Sequence, residues 1–341
     1  MNGQKPRPIK SDLKSHRIVF EEERPDRWPY MKILREFSTL KQFYPEIDPY
    51  AEIYQYRKNM WAIFTESFDG AGDPWMYVLE GPKKAMVIDT GFGMGNLKGL
   101  VRKLVGDKEL IVVNTHAHFD HCYGDSQFDK VYCHEAEVPN LTKKRDPHIW
   151  DYLFDEKTGE PKFTYFERKD IVPFTEFEIV GVPDGYKFDL GDGYEVEAVH
   201  LPGHAPGQCG YYDLYNHDIF VGDTNGIGRP FEDDQYPQFY SVEALRNALR
   251  KLKPRFSEIH GVFPGHGALD LPNVALQNIL DAAEIVCRDP NHYDLKKVVT
   301  RWGVTREIYY KNILQGSAIR YEMSQVYMNG KSDSAPLKEN D

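Results

Sequence analysis

The chain has 341 residues, long enough to bury a large core as one big domain or two modest ones. Against 53 Asp and Glu stand 42 Lys and Arg, a net charge of −11, which argues against nucleic acid or an anionic membrane as the principal partner. Met1 to Lys14 is polar and basic, no stretch approaches a membrane span, and the cysteines (Cys122, Cys133, Cys209, Cys287) show neither C-x-x-C spacing nor a disulfide framework. The expectation is a cytoplasmic protein with reduced thiols.

Residues 1–55 read as an extension, a dimer arm or a cleft cover, ahead of a main body at 56–295. Within it Trp28 to Phe43 places Met31, Leu34, Phe37 and Leu40 at helical spacing. Paired strands are predicted at 61–67 and 75–79, around a turn at 69–73. A buried strand at 85–89 follows, then Gly-Phe-Gly-Met-Gly and a helix through Leu104. The glycine loop is not a dinucleotide site: its spacing is not G-x-G-x-x-G, and no acid closes a following strand about 20 residues on. Asp89 reads instead as an anchor that hydrogen-bonds the ligand-bearing loops.

The apolar run Leu110 to Val113 ends in T-H-A-H-F-D-H at 115–121, which sets His116, His118, Asp120 and His121 almost side by side. Neutral imidazole and carboxylate are the usual N and O donors to a divalent metal. Three more strand-like runs each deliver one candidate ligand beside glycine: 194–199 leads to L-P-G-H-A-P-G with His204, 218–221 to G-D-T with Asp223, and 259–263 to P-G-H-G with His266. Glycine lets the backbone turn tightly at such a point. Helices are predicted at 241–251, with Ser241 as N-cap, and at 271–288. D-L-G-D-G at 189–193 reads as a hairpin turn. Residues 296–341 read as a helical tail with a polar end, packed through Tyr309, Ile313 and Tyr321.

In D-T-G at 89–91, the H-A-H-F-D-H block, G-H-A-P-G, G-D and G-H-G, from about Trp61 to Ala283, the chain resembles the metallo-β-lactamase-fold hydrolases. The resemblance implies an α+β fold, a four-layer αββα sandwich of two mixed sheets flanked by helices. It implies one metal on His116, His118 and His204, a second on Asp120, His121 and His266, and Asp223 bridging them. Zn2+ is the expected ion, with Mn2+ or Fe2+ as alternatives. Where family members often carry Gly-Gly after the block, Tyr123 precedes Gly124, which puts the shape of the substrate site in question.

A ligand set of this size implies a binuclear hydrolase in which a metal-bridging hydroxide attacks a carbonyl. Asp120 is its catalytic residue, orienting the nucleophile or relaying its proton. Ester, thioester or lactone cleavage, as in the hydroxyacylglutathione-hydrolase and lactonase branches, is the first reading. The alternatives are β-lactam or phosphodiester hydrolysis and a mononuclear iron enzyme resembling the persulfide dioxygenases, held by His116, His204 and Asp223. Residues 137–185, rich in aromatics, form an insertion that either walls the site for a small-molecule substrate with an apolar or aromatic portion, or buries its own rings as a helical piece. A homo-oligomer is compatible with the sequence. His16, His134, His148, His217 and His292 read as surface or loop residues, and His200 and His260 as core or supporting residues. Arg229 and Tyr236 follow Asp223 on a loop that could reach the site.

Overall fold

The computed structural model describes residues 12–17, 35, 38–69, 72–230, 233–301, 304–314 and 316–330. It is an α+β fold with two mixed sheets. In the eight-stranded sheet the spatial order is Glu178–Val182, Lys130–His134, Glu109–Val113, Lys84–Ile88, Trp75–Glu80, Met60–Thr65, Ala51–Arg57 and Lys41–Gln42. Met60–Thr65 is buried at every position. Such an unbroken apolar run marks a strand covered on both faces. The sheet reaches back to Lys41, ahead of the first predicted strand. Of the helix predicted at 28–43, Met31, Leu34 and Phe37 lie outside the described residues, while Leu40 is exposed.

Lys84–Ile88 and Glu109–Val113 pair in parallel, so a crossover must join them. The helix Leu97–Val105 supplies it. Leu97, Leu100, Val101 and Val105 fall on its buried face, and the Asn96 side chain caps it by accepting from Gly99 N at 2.9 Å. Gly106 ends it at φ +67°, a left-handed conformation that costs glycine little.

The five-stranded sheet runs Lys187–Asp189, Glu195–His200, Cys209–Asp213, Asp218–Gly222 and Gly261–Pro264, antiparallel except for the last, parallel pair. Helices Val242–Leu252 and Val274–Arg288 bury Leu245, Leu249, Leu276, Leu280 and Val286 in one core with Ile219, Val221 and Val262. Ser241 caps the first of these helices, its hydroxyl accepting from Ala244 N at 3.2 Å.

The predicted helical tail is corrected. Leu295–Arg301, Val304–Asn312 and Ala318–Tyr321 form a three-stranded antiparallel sheet. Tyr309, Ile313 and Tyr321 are four and eight residues apart, a spacing that fits a helix face as well as it fits strands. In the structure Tyr309 lies opposite Tyr321 across two strands, with ring centroids 5.9 Å apart. The β-branched pairs Val298-Val299 and Val304-Thr305 favour this pleated arrangement over helix.

By chain packing the molecule divides into two compact units. One is Met1–Asn114, His118–Val131 and Lys144–Glu178; the other is Thr115–Ala117, Tyr132–Lys143 and Ile179–Asp341. Among the described residues no helix is long and apolar enough to cross a membrane.

Candidate metal centre

Every candidate ligand stands just past the C-terminal end of a strand. Glu109–Val113 runs into the His block, whose last three positions open the four-residue helix Phe119–Cys122, with Asp120 and His121 buried on it. Glu195–His200, Asp218–Gly222 and Gly261–Pro264 lead to His204, Asp223 and His266. Gly222 has φ +55°, and a Cβ there would lie 2.8 Å from that of Thr115. Only glycine lets the Asp223 turn pass so close beside the residue before His116.

Histidine orientation follows from one nitrogen of each ring. Thr115 Oγ1 lies 3.0 Å from His116 Nδ1, Asp89 Oδ2 lies 2.8 Å from His121 Nδ1, and Gly226 O lies 2.7 Å from His204 Nδ1. A ring held at Nδ1 presents Nε2 as its ligating atom, the arrangement that fixes tautomer and direction in metal-binding histidines. His121 Nε2 is 3.7 Å from Asp120 Oδ2. His204 Nε2 and His266 Nε2 lie 3.5 and 3.4 Å from the same Asp223 oxygen. These separations exceed a good N–H···O bond. They match the edge of about 3.3 Å between two ligands each about 2.0–2.1 Å from a shared tetrahedral ion.

Three groups place one ligand atom per residue within 4.8 Å of one another: His116, His118 and His204; His116, His121 and Asp223; Asp120, His121 and His266. All seven predicted residues thus fall in these groups. The donor set is imidazole nitrogen and carboxylate oxygen throughout, which fits a divalent metal.

Asp89 performs the anchoring role expected of it. Glu137 escaped the sequence reading, because a lone acid in an aromatic insertion carries no motif. It is buried, and its two carboxylate oxygens accept from Ala117 N at 2.9 Å and Gly207 N at 2.7 Å. One side chain therefore ties the turn after His116 to the turn after His204. Glu137→Ala strands both N–H groups and releases both turns. We expect metal affinity, measured by competition with a chromophoric chelator, to fall by roughly 10- to 100-fold.

Asp125 is a second buried acid that the sequence did not single out. Its Oδ1 accepts from Thr90 Oγ1 at 2.7 Å and Asn114 Nδ2 at 3.0 Å, while Oδ2 has no partner among the described residues. Burial pushes its carboxyl up to about 8, against the two hydrogen bonds that favour the anion. A raised folded-state value means that the native protein holds the proton more tightly than the unfolded chain. Stability from this group is therefore full below about pH 4 and is lost as pH rises toward about 8. Asp125→Asn keeps the Oδ1 acceptor and removes the titration. Thermal melts should show the wild type losing more stability than Asp125→Asn between pH 5 and pH 8, on the order of 1 kcal/mol per pH unit at most.

Other residues singled out in the sequence have partners or packing of their own. The guanidinium of Arg229 pairs with Glu322. His134, expected at the surface, is buried: its Nδ1 accepts from Ala136 N at 3.2 Å, and its ring stacks on that of His200 at 3.9 Å and 5°. Burial holds its imidazole neutral, down at about 3. Cys122 is a packed thiol raised well above its usual value by burial, and all four cysteines are buried, with no disulfide among the described residues. Within 137–185 only Val138–Thr142 is α-helical. Trp150, Phe154 and Phe166 pack inside while Tyr152, Phe163 and Tyr165 stay exposed.

The model of the Metallo-beta-lactamase superfamily matches residues 69–266. That is more than half of the chain, and the chain belongs to this metallo-hydrolase superfamily. The acyl-coenzyme A thioesterase MBLAC2 of Bos taurus is 29% identical over 203 residues, covering 56% of this chain and 72% of that protein. The probable metallo-hydrolase MJ0888 of Methanocaldococcus jannaschii is 29% identical, covering 55% and 84%. The hydroxyacylglutathione hydrolase GloC of Haemophilus influenzae is 28% identical, covering 54% and 81%.

Proposed function

We propose that this protein is a binuclear metal-dependent hydrolase of small-molecule esters, thioesters or lactones. The convergence of seven imidazole and carboxylate donors in three groups supports the reading most. His116, His118 and His204 would hold one ion, Asp120, His121 and His266 the other, and Asp223 both. Two divalent cations, Zn2+ first, would supply Lewis-acid polarisation of a carbonyl and an acidified water. The chain's own part is positional. Asp89, Thr115 and the Gly226 carbonyl hold three imidazoles by Nδ1. Glu137 fixes two of the loops. Asp120, beside His121, would orient the nucleophile and take its proton.

Thioesters stand first among the substrates, since two of the relatives above are named for acyl-coenzyme A and hydroxyacylglutathione. The zinc-loaded protein should be assayed on acyl-coenzyme A, hydroxyacylglutathione, lactone, β-lactam and phosphodiester substrates. A kcat/KM for a thioester, ester or lactone at least about 100-fold above the other two classes is expected, a discrimination of the size that differential transition-state contacts give. Preference for a β-lactam or a phosphodiester would overturn the assignment.

A further inference from the structure

Phe119 lies in sequence between His118 and Asp120, two of the candidate ligands. Its ring stands 6.3 Å from that of His118, 6.0 Å from Tyr152, 6.3 Å from Tyr123 and 5.8 Å from Phe92. Tyr123 in turn meets Trp150 at 6.0 Å. The base of this array is rigid. Trp150 is buried, its indole N–H donates to Phe92 O at 2.8 Å, and Gly93 passes so close that a Cβ there would lie 3.0 Å from the indole ring. The top is open, with Phe119 half-buried and Tyr152 39% exposed. Tyr152 is held by its neighbours Leu153 and Phe154, which are buried.

We infer that the Phe119–Tyr152 face is the subsite for the apolar acyl portion of the substrate, with Tyr152 as its specificity-determining residue. The inference rests on the hydrolase reading above. Three observations choose this occupant. The face adjoins the ligand block, since the Phe119 ring stands 6.3 Å from that of His118. The accessible Phe119 and Tyr152 rings meet at 56°, a corrugated surface that methylenes fill and a flat heterocycle does not. Among the described residues these rings meet other rings, one imidazole and, through the Trp150 N–H, the Phe92 carbonyl, and no cation lies over them, so an anionic group gains nothing there.

The test separates this subsite from the chemistry. Linear alkanoates from acetate to octanoate, which carry no thiol and cannot be hydrolysed, are titrated into the zinc-loaded protein by calorimetry. Burial of each methylene should tighten binding about fourfold, with an increasingly negative heat-capacity change. Tyr152→Ala should flatten the dependence to under about twofold per methylene, and Tyr152→Phe should restore it. Metal content and melting temperature of both variants serve as the check that the fold is intact. Affinity independent of chain length, or an undiminished slope in a folded Tyr152→Ala protein, overturns the subsite. Should the slope hold while no ester, thioester or lactone is cleaved, the hydrolase reading fails and the apolar subsite stands.

Discussion

Asp120→Ala will lower kcat for the preferred acyl substrate by about 10³-fold, the scale of losing a preorganised charge at the reacting centre. The fold will persist. Asp120 sits on the four-residue helix Phe119–Cys122 and is no member of the apolar core formed by Leu245, Leu249, Ile219 and their neighbours. kcat and kcat/KM should fall together, the signature of an interaction made in the transition state rather than in ground-state binding. Asp120→Asn keeps one oxygen at the same place and should retain more metal than the alanine variant while still losing most turnover. Steady-state kinetics, with circular dichroism as the check on folding, decide this. A variant with near-wild-type turnover would remove Asp120 from the proposed chemistry.

Chelation comes second in size. Each of the three donor groups gathers its ligand atoms within 4.8 Å, and two of them include a carboxylate. Ion binding to the folded state alone adds RT ln(1 + [L]/Kd) to stability, about 4 kcal/mol at a thousandfold excess over Kd. A strong chelator should therefore abolish turnover and lower the melting temperature by several degrees, and both should return on adding Zn2+. Glu137→Ala should need more Zn2+ for the same recovery. An unchanged melting curve in chelator would contradict tight metal binding at these residues.

How far the sequence discloses this site depends on how local each signal is. The block at 115–121 packs four ligands into one turn, so it declares itself without any knowledge of the fold. His204, Asp223 and His266 are legible because each follows a short apolar strand and stands beside glycine, and Gly222 shows the reason: a Cβ there would come within 2.8 Å of Thr115 Cβ. Glu137 is illegible for the opposite reason. Its work is to accept two backbone N–H groups 20 and 70 residues away in the chain, and backbone donors leave no mark in a sequence. Asp125 is similar, since nothing local announces that Thr90 and Asn114 will enclose it. Among the strands the central, wholly buried runs read clearly. The C-terminal sheet does not, because its basic residues and its Tyr309, Ile313, Tyr321 spacing satisfy a helical period. The β-branched pairs lean toward strand, and the cross-strand partner, Tyr321 opposite Tyr309, decides it. His134 misled because a histidine at a strand end is usually wet, whereas here the imidazole of His200 covers it.

The claim on which the rest depends is that the seven donors hold two cations. Elemental analysis of protein purified without added metal, and again after zinc loading and desalting, tests it most directly, with His118→Ala and Asp120→Ala alongside. Two divalent ions per chain in the wild type, and fewer in each variant, is the predicted result. One iron per chain, with oxygen consumed on a persulfide substrate, or no bound metal after zinc loading, would contradict it.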